Sequence, residues 1–393
     1  MINKYIKIAL VLFLFPLSLF SQNTIDSVLV QIERNNTSLV AWKKQNEAQK
    51  LGNKTGIYLD NPEFEFNYLW GNPSAIGNRT DISIKQSFDF PTAYGYKNQI
   101  ANMKNQQIKL EYVKQQKNIL LQTRLICYDL IYTNALKTEL TKRLVHAKSI
   151  ASSYKSKFEI GESNVLEFNK AQLNLLNLSK EFESLIIERN ALLSGLGSIN
   201  GGIFIDFTDS VFSSPEIPID FEQWYLQAEQ NNPILSWLKQ EIEISQKQVS
   251  LNRAMSMPKI QAGYMSEKIA GEHLQGITAG ITIPLWENKN SIKYAKANAL
   301  ALESIADDSK IQFYNQLKNL HAKTIALQKN AVDYRQAIGN FDNSELLKKA
   351  LDKGEITLID YMLEFSIYYQ SVTKLLELER DMNKTFAELN QYM

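Results

Sequence analysis

The run Pro62-Glu63-Phe64-Glu65-Phe66-Asn67-Tyr68-Leu69-Trp70 reads as a β-strand with two unlike faces. Phe64, Phe66, Tyr68 and Trp70 alternate with Glu63, Glu65 and Asn67, the two-residue period of a strand that buries one side. Residues 81–90 do the same. Ile82, Ile84, Phe88 and Phe90 share one side, with Gln86 the polar residue among them, and Asp81, Ser83, Lys85, Ser87 and Asp89 share the other. A Gly/Asn/Pro/Ser-rich loop joins the two, which predicts a β-hairpin over 62–91. Two strands cannot hide that much aromatic surface between themselves, so the apolar side must meet a core or lipid. The flanking sequence is patterned as long helices and supplies no second sheet for a sandwich, which favours lipid.

Across the 393 residues the net charge is +1, with 22% charged and 44% apolar residues, and no basic stripe of the kind that binds nucleic acid. The start has the three zones of a secretory signal peptide: charges at Lys4 and Lys7, an apolar run over 8–20, then Ser21-Gln22. Residues 1–21 are therefore expected to be a signal peptide. An apolar run of about 13 residues is shorter than the ~20 a membrane-crossing helix needs, and no other segment is hydrophobic for long enough. No cysteine stands near the cleavage point to carry a lipid. Cys127 lies in a helical pattern and reads as a small buried apolar residue. A place in a membrane would have to rest on strands.

Residues 24–53 carry a helical stripe of Val28, Ile32, Leu39 and Trp42. After the hairpin, residues 97–159 contain neither proline nor glycine and predict one helix on the order of 90 Å long. Leu121, Leu125, Tyr128, Tyr132 and Leu136 fall on one face of it, a narrow stripe suited to coiled-coil packing. Gly161 interrupts the pattern, and a second helix runs from about Asn164 to Leu196 with three- and four-residue apolar steps. Residues 198–220 read as an irregular linker with a short alternating piece, Ile203, Ile205 and Phe207, then Pro215 and Pro218.

From there the chain repeats itself. Asn35-Asn36 aligns with Asn231-Asn232 and Pro62 with Pro258, both displaced by about 196, while Pro91 aligns with Pro284 and Gly161-Glu162 with Gly354-Glu355, displaced by about 193. The shift changes inside the hairpin loop, where a length difference is easily absorbed. The sequence thus divides into a first repeat over 22–197, the linker and a second repeat over 221–393, with a second hairpin over 258–284. Its apolar side carries Ile260, Ala262, Tyr264, Ile277, Ala279, Ile281 and Ile283. The last helix keeps a heptad line through Leu358, Tyr361, Phe365, Tyr368, Val372, Leu375, Met382, Phe386 and Leu389, interrupted by Glu379.

Four strands of roughly ten residues are long enough to cross a bilayer when tilted, but too few to close a barrel. An open edge in hydrocarbon leaves backbone N–H and C=O groups unpaired at several kcal/mol each, so copies must share one barrel. Three copies give about twelve strands, enough to enclose an aqueous lumen lined by the polar faces. The helices then continue that lumen as a hollow tube.

In this plan the chain resembles the TolC-like outer-membrane efflux proteins. The resemblance covers nearly the whole mature chain. It rests on the duplicated helix, hairpin and long-helix-pair order, on Asn232-Pro233 and the strand ends Pro91 and Pro284, and on two helix turns. These turns are Phe158-Glu159-Ile160-Gly161-Glu162-Ser163-Asn164-Val165-Leu166-Glu167 and Leu351-Asp352-Lys353-Gly354-Glu355-Ile356-Thr357-Leu358-Ile359-Asp360. The resemblance implies a mainly α homotrimer in the outer membrane, with a shared 12-stranded β-barrel and a 12-helix periplasmic barrel. It implies an exit duct of a tripartite pump, fed by a periplasmic adaptor and an inner-membrane transporter, proton-driven in many such pumps. The modest length and short linker look most like the cation and heavy-metal efflux branch. It further implies that Gly161, Glu162, Gly354 and Glu355 form the periplasmic tip that meets partners. Glu167 and Asp360, six places after each glycine, would constrict the closed pore. Some family members carry a further aspartate three residues on, where this chain has Lys170 and Leu363.

Asn164-x-x-Glu167 and Thr357-x-x-Asp360 also fit helix capping boxes, and both roles are compatible. Trp70, Tyr68, Tyr94, Tyr96 and Trp286 stand near strand ends, where aromatic girdles mark membrane interfaces or, alternatively, side chains pack inward. Met255, Met257 and Met265 read as packing residues, and His146, His273 and His321 have no ligand spacing. With no nucleophile–base pattern, phosphate loop or cofactor motif, neither catalysis nor a cofactor is expected. The rival reading is a soluble periplasmic coiled-coil adaptor whose strands belong to a small globular domain.

Overall fold

A computed structural model of the chain describes residues 24–340 and 343–393; the expected signal peptide lies outside these. The chain opens with α1 (Ile25–Asn35) and α2 (Thr37–Gly52), then β1 (Glu63–Leu69), β2 (Arg79–Phe88), α3 (Pro91–Glu159) and α4 (Val165–Ile199). An irregular stretch leads to α5 (Phe221–Asn231), α6 (Pro233–Met255), β3 (Lys259–Ile269), β4 (Glu272–Thr282), α7 (Ser291–Asn340), α8 (Ser344–Asp352) and α9 (Leu358–Leu389).

Several boundaries differ from the sequence reading. The helix expected over 24–53 is two helices, because extended backbone at Asn36 ends α1 while the Asn36 side chain accepts from Leu39 N–H at 2.8 Å to start α2. Asn232 does the same between α5 and α6, accepting from Ile234 N–H at 2.8 Å. Helix α3 begins at Pro91, whose fixed φ and missing N–H suit the first helical position. In the second hairpin β3 runs on past Tyr264 to Ile269, and β4 begins at Glu272, four residues before Gly276. Trp70, Phe90 and Ile283, however, fall just outside the strands: Phe90 is already the cap of α3, and Trp70 and Ile283 follow the last ladder pairs. Helix α4 passes through Gly195 and Gly197 and stops only at Asn200. The second repeat's expected helix pair is three helices, α7 to α9, with Gly339, Asn340 and Asn343, all weak helix formers, at the interruption.

The four strands form one antiparallel sheet in the order β1-β2-β3-β4. The two hairpins are therefore joined through β2 and β3, with Ile84 opposite Tyr264 and Phe88 opposite Ile260. The link between β3 and β4 is the two-residue turn Ala270-Gly271, both at positive φ, which matches the twist of the strands it joins. On their outer sides β1 and β4 have no strand partner among the described residues.

The helices form a single lateral layer. Away from the sheet, α3 packs against α4 on one side and α9 on the other, and α9 against α7. Nearer the sheet the neighbours are α2, α3, α6 and α7. Helix α3 has 69 residues, or roughly 100 Å at ~1.5 Å per residue, so it runs the length of the molecule. The apolar packing is split along this layer. One cluster joins Val28 and Ile32 to Leu130, Leu196, Ile205 and Phe207, and another joins Trp224 and Tyr225 to Phe313, Leu317 and Leu389. Cys127 lies fully within the first, where burial pushes its thiol pKa up to about 12, so it is an uncharged packing group. Glu379, which interrupts the heptad line of α9, is buried and answered by Arg335 of α7.

Candidate functional site

Two features stand out chemically: the sheet, and the paired helix turns at the far end. In the sheet the distribution of polarity is inverted relative to a water-soluble domain. Cross-strand register puts Phe64, Ile84, Tyr264 and Ile277 in one row, Phe66 and Ile82 in the next, and Phe88, Ile260 and Ile281 in another, all on one face. That face is bare: Phe64 is 65% exposed, Ile281 70% and Ile277 89%. On the opposite face Asp81 and Ser83 are buried at 8% and 6%. Polar groups there answer one another, Arg79 with Asp81 at 2.8 Å and Glu267 at 3.1 Å, and Lys85 with Glu65 at 3.1 Å. Gln86, the polar residue on the apolar side, turns its amide to the Asp60 carbonyl at 2.7 Å. Trp70 and Trp286 are exposed, whereas the Tyr94 hydroxyl accepts from Asp89 N–H at 2.9 Å and is tied to the chain.

The helix turns are near copies of each other. Gly161 (φ +78°) ends α3 and Gly354 (φ +73°) ends α8, each in the left-handed region where a side chain would be strained. The next N–H closes the turn: Glu162 donates to the Lys157 carbonyl at 2.8 Å and Glu355 to that of Ala350 at 2.9 Å. Three residues after each glycine stands the cap of the following helix. Asn164 accepts from Glu167 N–H at 3.0 Å, while the Glu167 carboxylate takes the Ser163 hydroxyl at 2.8 Å instead of closing a full box. Thr357 and Asp360 form a complete capping box, with Asp360 accepting from Thr357 N–H at 3.3 Å and from its hydroxyl at 2.6 Å. Both carboxylates therefore sit at helix N-termini, where the helix dipole favours negative charge. Leu358, buried against Ala151, Tyr154 and Ala171, brings the start of α9 alongside α3 and α4 and so places the two turns at the same end. Glu162, Glu355 and Asp360 are exposed; Lys170 and Leu363 are also exposed.

One constellation next to the turns escaped the sequence reading. His146 of α3 contacts the Tyr361 hydroxyl of α9 through Nε2 at 2.5 Å and lies edge-on to Phe365, ring centroids 5.1 Å apart. One turn away the Arg143 guanidinium donates to the Tyr369 carbonyl at 3.1 Å and stacks on the Tyr369 ring at 4.4 Å. Tyr361 and Phe365 lie on the heptad line of α9, whereas Tyr369 stands one place past its Tyr368, and nothing in the sequence says which histidine 215 positions away meets Tyr361. Burial, then the nearby Lys348, lower the His146 pKa below its ordinary 6.5, with Asp352 opposing. A histidine with a lower pKa folded than unfolded contributes stability at pH above about 6.5 that is lost as pH falls. Protection factors of the amides over 358–369, each rate referred to its intrinsic base-catalysed rate, should fall as pH drops below about 6.5, and His146→Gln should flatten that dependence. Protection that falls equally in the variant would show that another group is responsible.

The fold is that of the TolC-like outer-membrane channels. The Campylobacter jejuni CmeC outer membrane channel superposes with a TM-score of 0.77 at 14% identity, over 94% of this chain and 85% of that one. CusC, described for its folding and transmembrane channel formation, gives 0.76 at 14% identity over 93% and 91%. VceC, an outer membrane protein of Vibrio cholerae, gives 0.74 at 11% over 94% of both chains. No family model and no curated protein matches the sequence. Among the described residues no helix is long and apolar enough to cross a membrane.

Proposed function

We propose that the chain is the outer-membrane exit duct of a tripartite efflux pump, assembled as a homotrimer and conducting substrate passively from the periplasm to the exterior. The single observation that carries this is the sheet: an exposed apolar face, a polar face whose charges pair with one another, and two open edges. In water that surface would aggregate, whereas in hydrocarbon the face is satisfied and only the edges are not. Pairing β1 of one copy with β4 of the next satisfies them. The helical layer has the same form, since α4 and α7 are its outer members and carry exposed apolar residues such as Leu173, Ile187, Ile311 and Ile325. Three copies supply twelve strands with the polar faces turned to a lumen.

In this reading the two turns form the periplasmic tip, with Gly161, Glu162, Gly354 and Glu355 meeting a periplasmic adaptor or a proton-driven inner-membrane transporter. Glu167 and Asp360 line the constriction. Because Asp360 also caps α9, Asp360→Asn is the informative change: it keeps an oxygen acceptor while removing the charge. Single-channel conductance of Asp360→Asn in planar bilayers should rise above that of the unaltered protein, with a loss of stability no larger than the ~0.3–1 kcal/mol of a charge at a helix N-terminus. Unchanged conductance would leave capping as the residue's whole role. The rival, a soluble periplasmic adaptor, predicts release in osmotic-shock fluid without detergent; the duct predicts recovery only from detergent-treated outer membranes.

A further inference from the structure

We infer that the junction between adjacent copies, at the base of the sheet, holds the headgroup of an anionic phospholipid; this rests on the assembly proposed above. The chain enters β1 from α2 through residues 53–62 and leaves β4 for α7 through residues 283–290. Since β1 and β4 are the two free edges, closing the barrel sets the first segment of one copy beside the second segment of the next. The first segment carries Lys54, Tyr58 and Leu59, and the second Trp286 and Lys289, followed by Lys293 on the first turn of α7.

Like charges therefore gather at each junction. Lys54, Lys289 and Lys293 are exposed and make no side-chain hydrogen bond or ion pair among the described residues. The acids nearby do not balance them: Glu287 is held by Lys259 at 3.3 Å, which leaves Asp60 and Glu63 against the three lysines. Asp89 is likewise taken by Lys97 at 2.9 Å. The opposite end of the sheet shows no such excess, since Arg79 is matched by Asp81 and Glu267. Bringing such lysines together costs energy unless an anion comes with them.

The same segments identify the anion's chemistry. Tyr58 and Trp286 are 73% and 79% exposed, and Leu59 is exposed with them, in the same two segments as the lysines. A molecule with a phosphate for the lysines and acyl chains for the aromatic and aliphatic side chains satisfies both, whereas a free phosphate would leave the apolar residues uncovered.

The test uses the full chain purified in a non-ionic detergent, with bound lipid and subunit number read by native mass spectrometry. Phosphatidylglycerol should be retained on the order of tenfold better than phosphatidylcholine of matched chains. The Lys289→Gln/Lys293→Gln variant should keep the oligomer and lose that preference. Equal retention of the two lipids, a preference that survives in the variant, or displacement of the phosphatidylglycerol by millimolar inorganic phosphate would each overturn the lipid site. An oligomer indifferent to lipid charge sinks this inference alone; a single subunit in every lipid sinks the assembly and the inference together.

Discussion

Ile84→Arg should leave the outer membrane almost empty of assembled protein. Ile84 sits mid-strand in the row Phe64–Ile84–Tyr264–Ile277, on the exposed face and far from either end of the ladder. An arginine facing lipid near the bilayer midplane costs about 2–4 kcal/mol, and in a trimer the cost is incurred once per copy. Thr278→Lys, one residue along from Ile277 and therefore on the polar face, is the control, because there the residue stands opposite Gly263, in a row that holds Lys85 and Glu63 and no apolar side chain. The abundance of a heat-dissociable oligomer on gels of outer-membrane fractions separates the two. Normal assembly of Ile84→Arg alongside collapse of Thr278→Lys would mean the sheet is turned the other way.

The second large effect lies in the linker. Phe207 is fully buried between α1, α3 and α4, against Val28, Ile32, Leu130 and Leu196. Its main chain is clamped as well: the Asn134 amide donates to the carbonyls of Phe207 at 3.2 Å and Asp209 at 2.8 Å, and Arg189 donates to Phe207 at 3.2 Å. Phe207→Ala should destabilise this region by about 3–5 kcal/mol, the usual cost of emptying a packed aromatic site. The readout is rapid proteolytic cleavage within 203–220 together with a lowered unfolding temperature. Val211→Ala, at a residue 80% exposed in the same segment, should do neither.

What the sequence disclosed follows from the range of the forces involved. Strand faces and helix turns are written in local periods, so the places of Phe64, Ile84, Gly161 and Gly354 are legible in the sequence. The helix break at Asn36 is not, because its apolar stripe continues across the break; the only cue is the pair Asn35-Asn36, and an asparagine favours a cap without fixing which of a chain's asparagines serves as one. The alternating Ile203, Ile205 and Phe207 mimicked a strand, yet Ile205 and Phe207 are buried by packing against helices with no ladder at all. The contact between His146 and Tyr361 was invisible for a different reason: it joins the two halves, and a single chain read in order carries no signal for which distant faces meet. The partial box at Asn164 shows the same limit at short range, since Ser163, one residue before the cap, takes the Glu167 carboxylate that spacing alone assigned to Asn164.

The junctions between sheet and helices also differ in stiffness. Strand β2 passes into α3 with only two residues between them, and α3 then runs unbroken for 69 residues, whereas β4 reaches α7 through eight residues and the descent to the turn is divided between α7 and α8. Each copy thus pairs a strut fastened to the sheet with a jointed arm. In the proposed duct, a load applied at the turns should be felt at the sheet through the first and absorbed by the second.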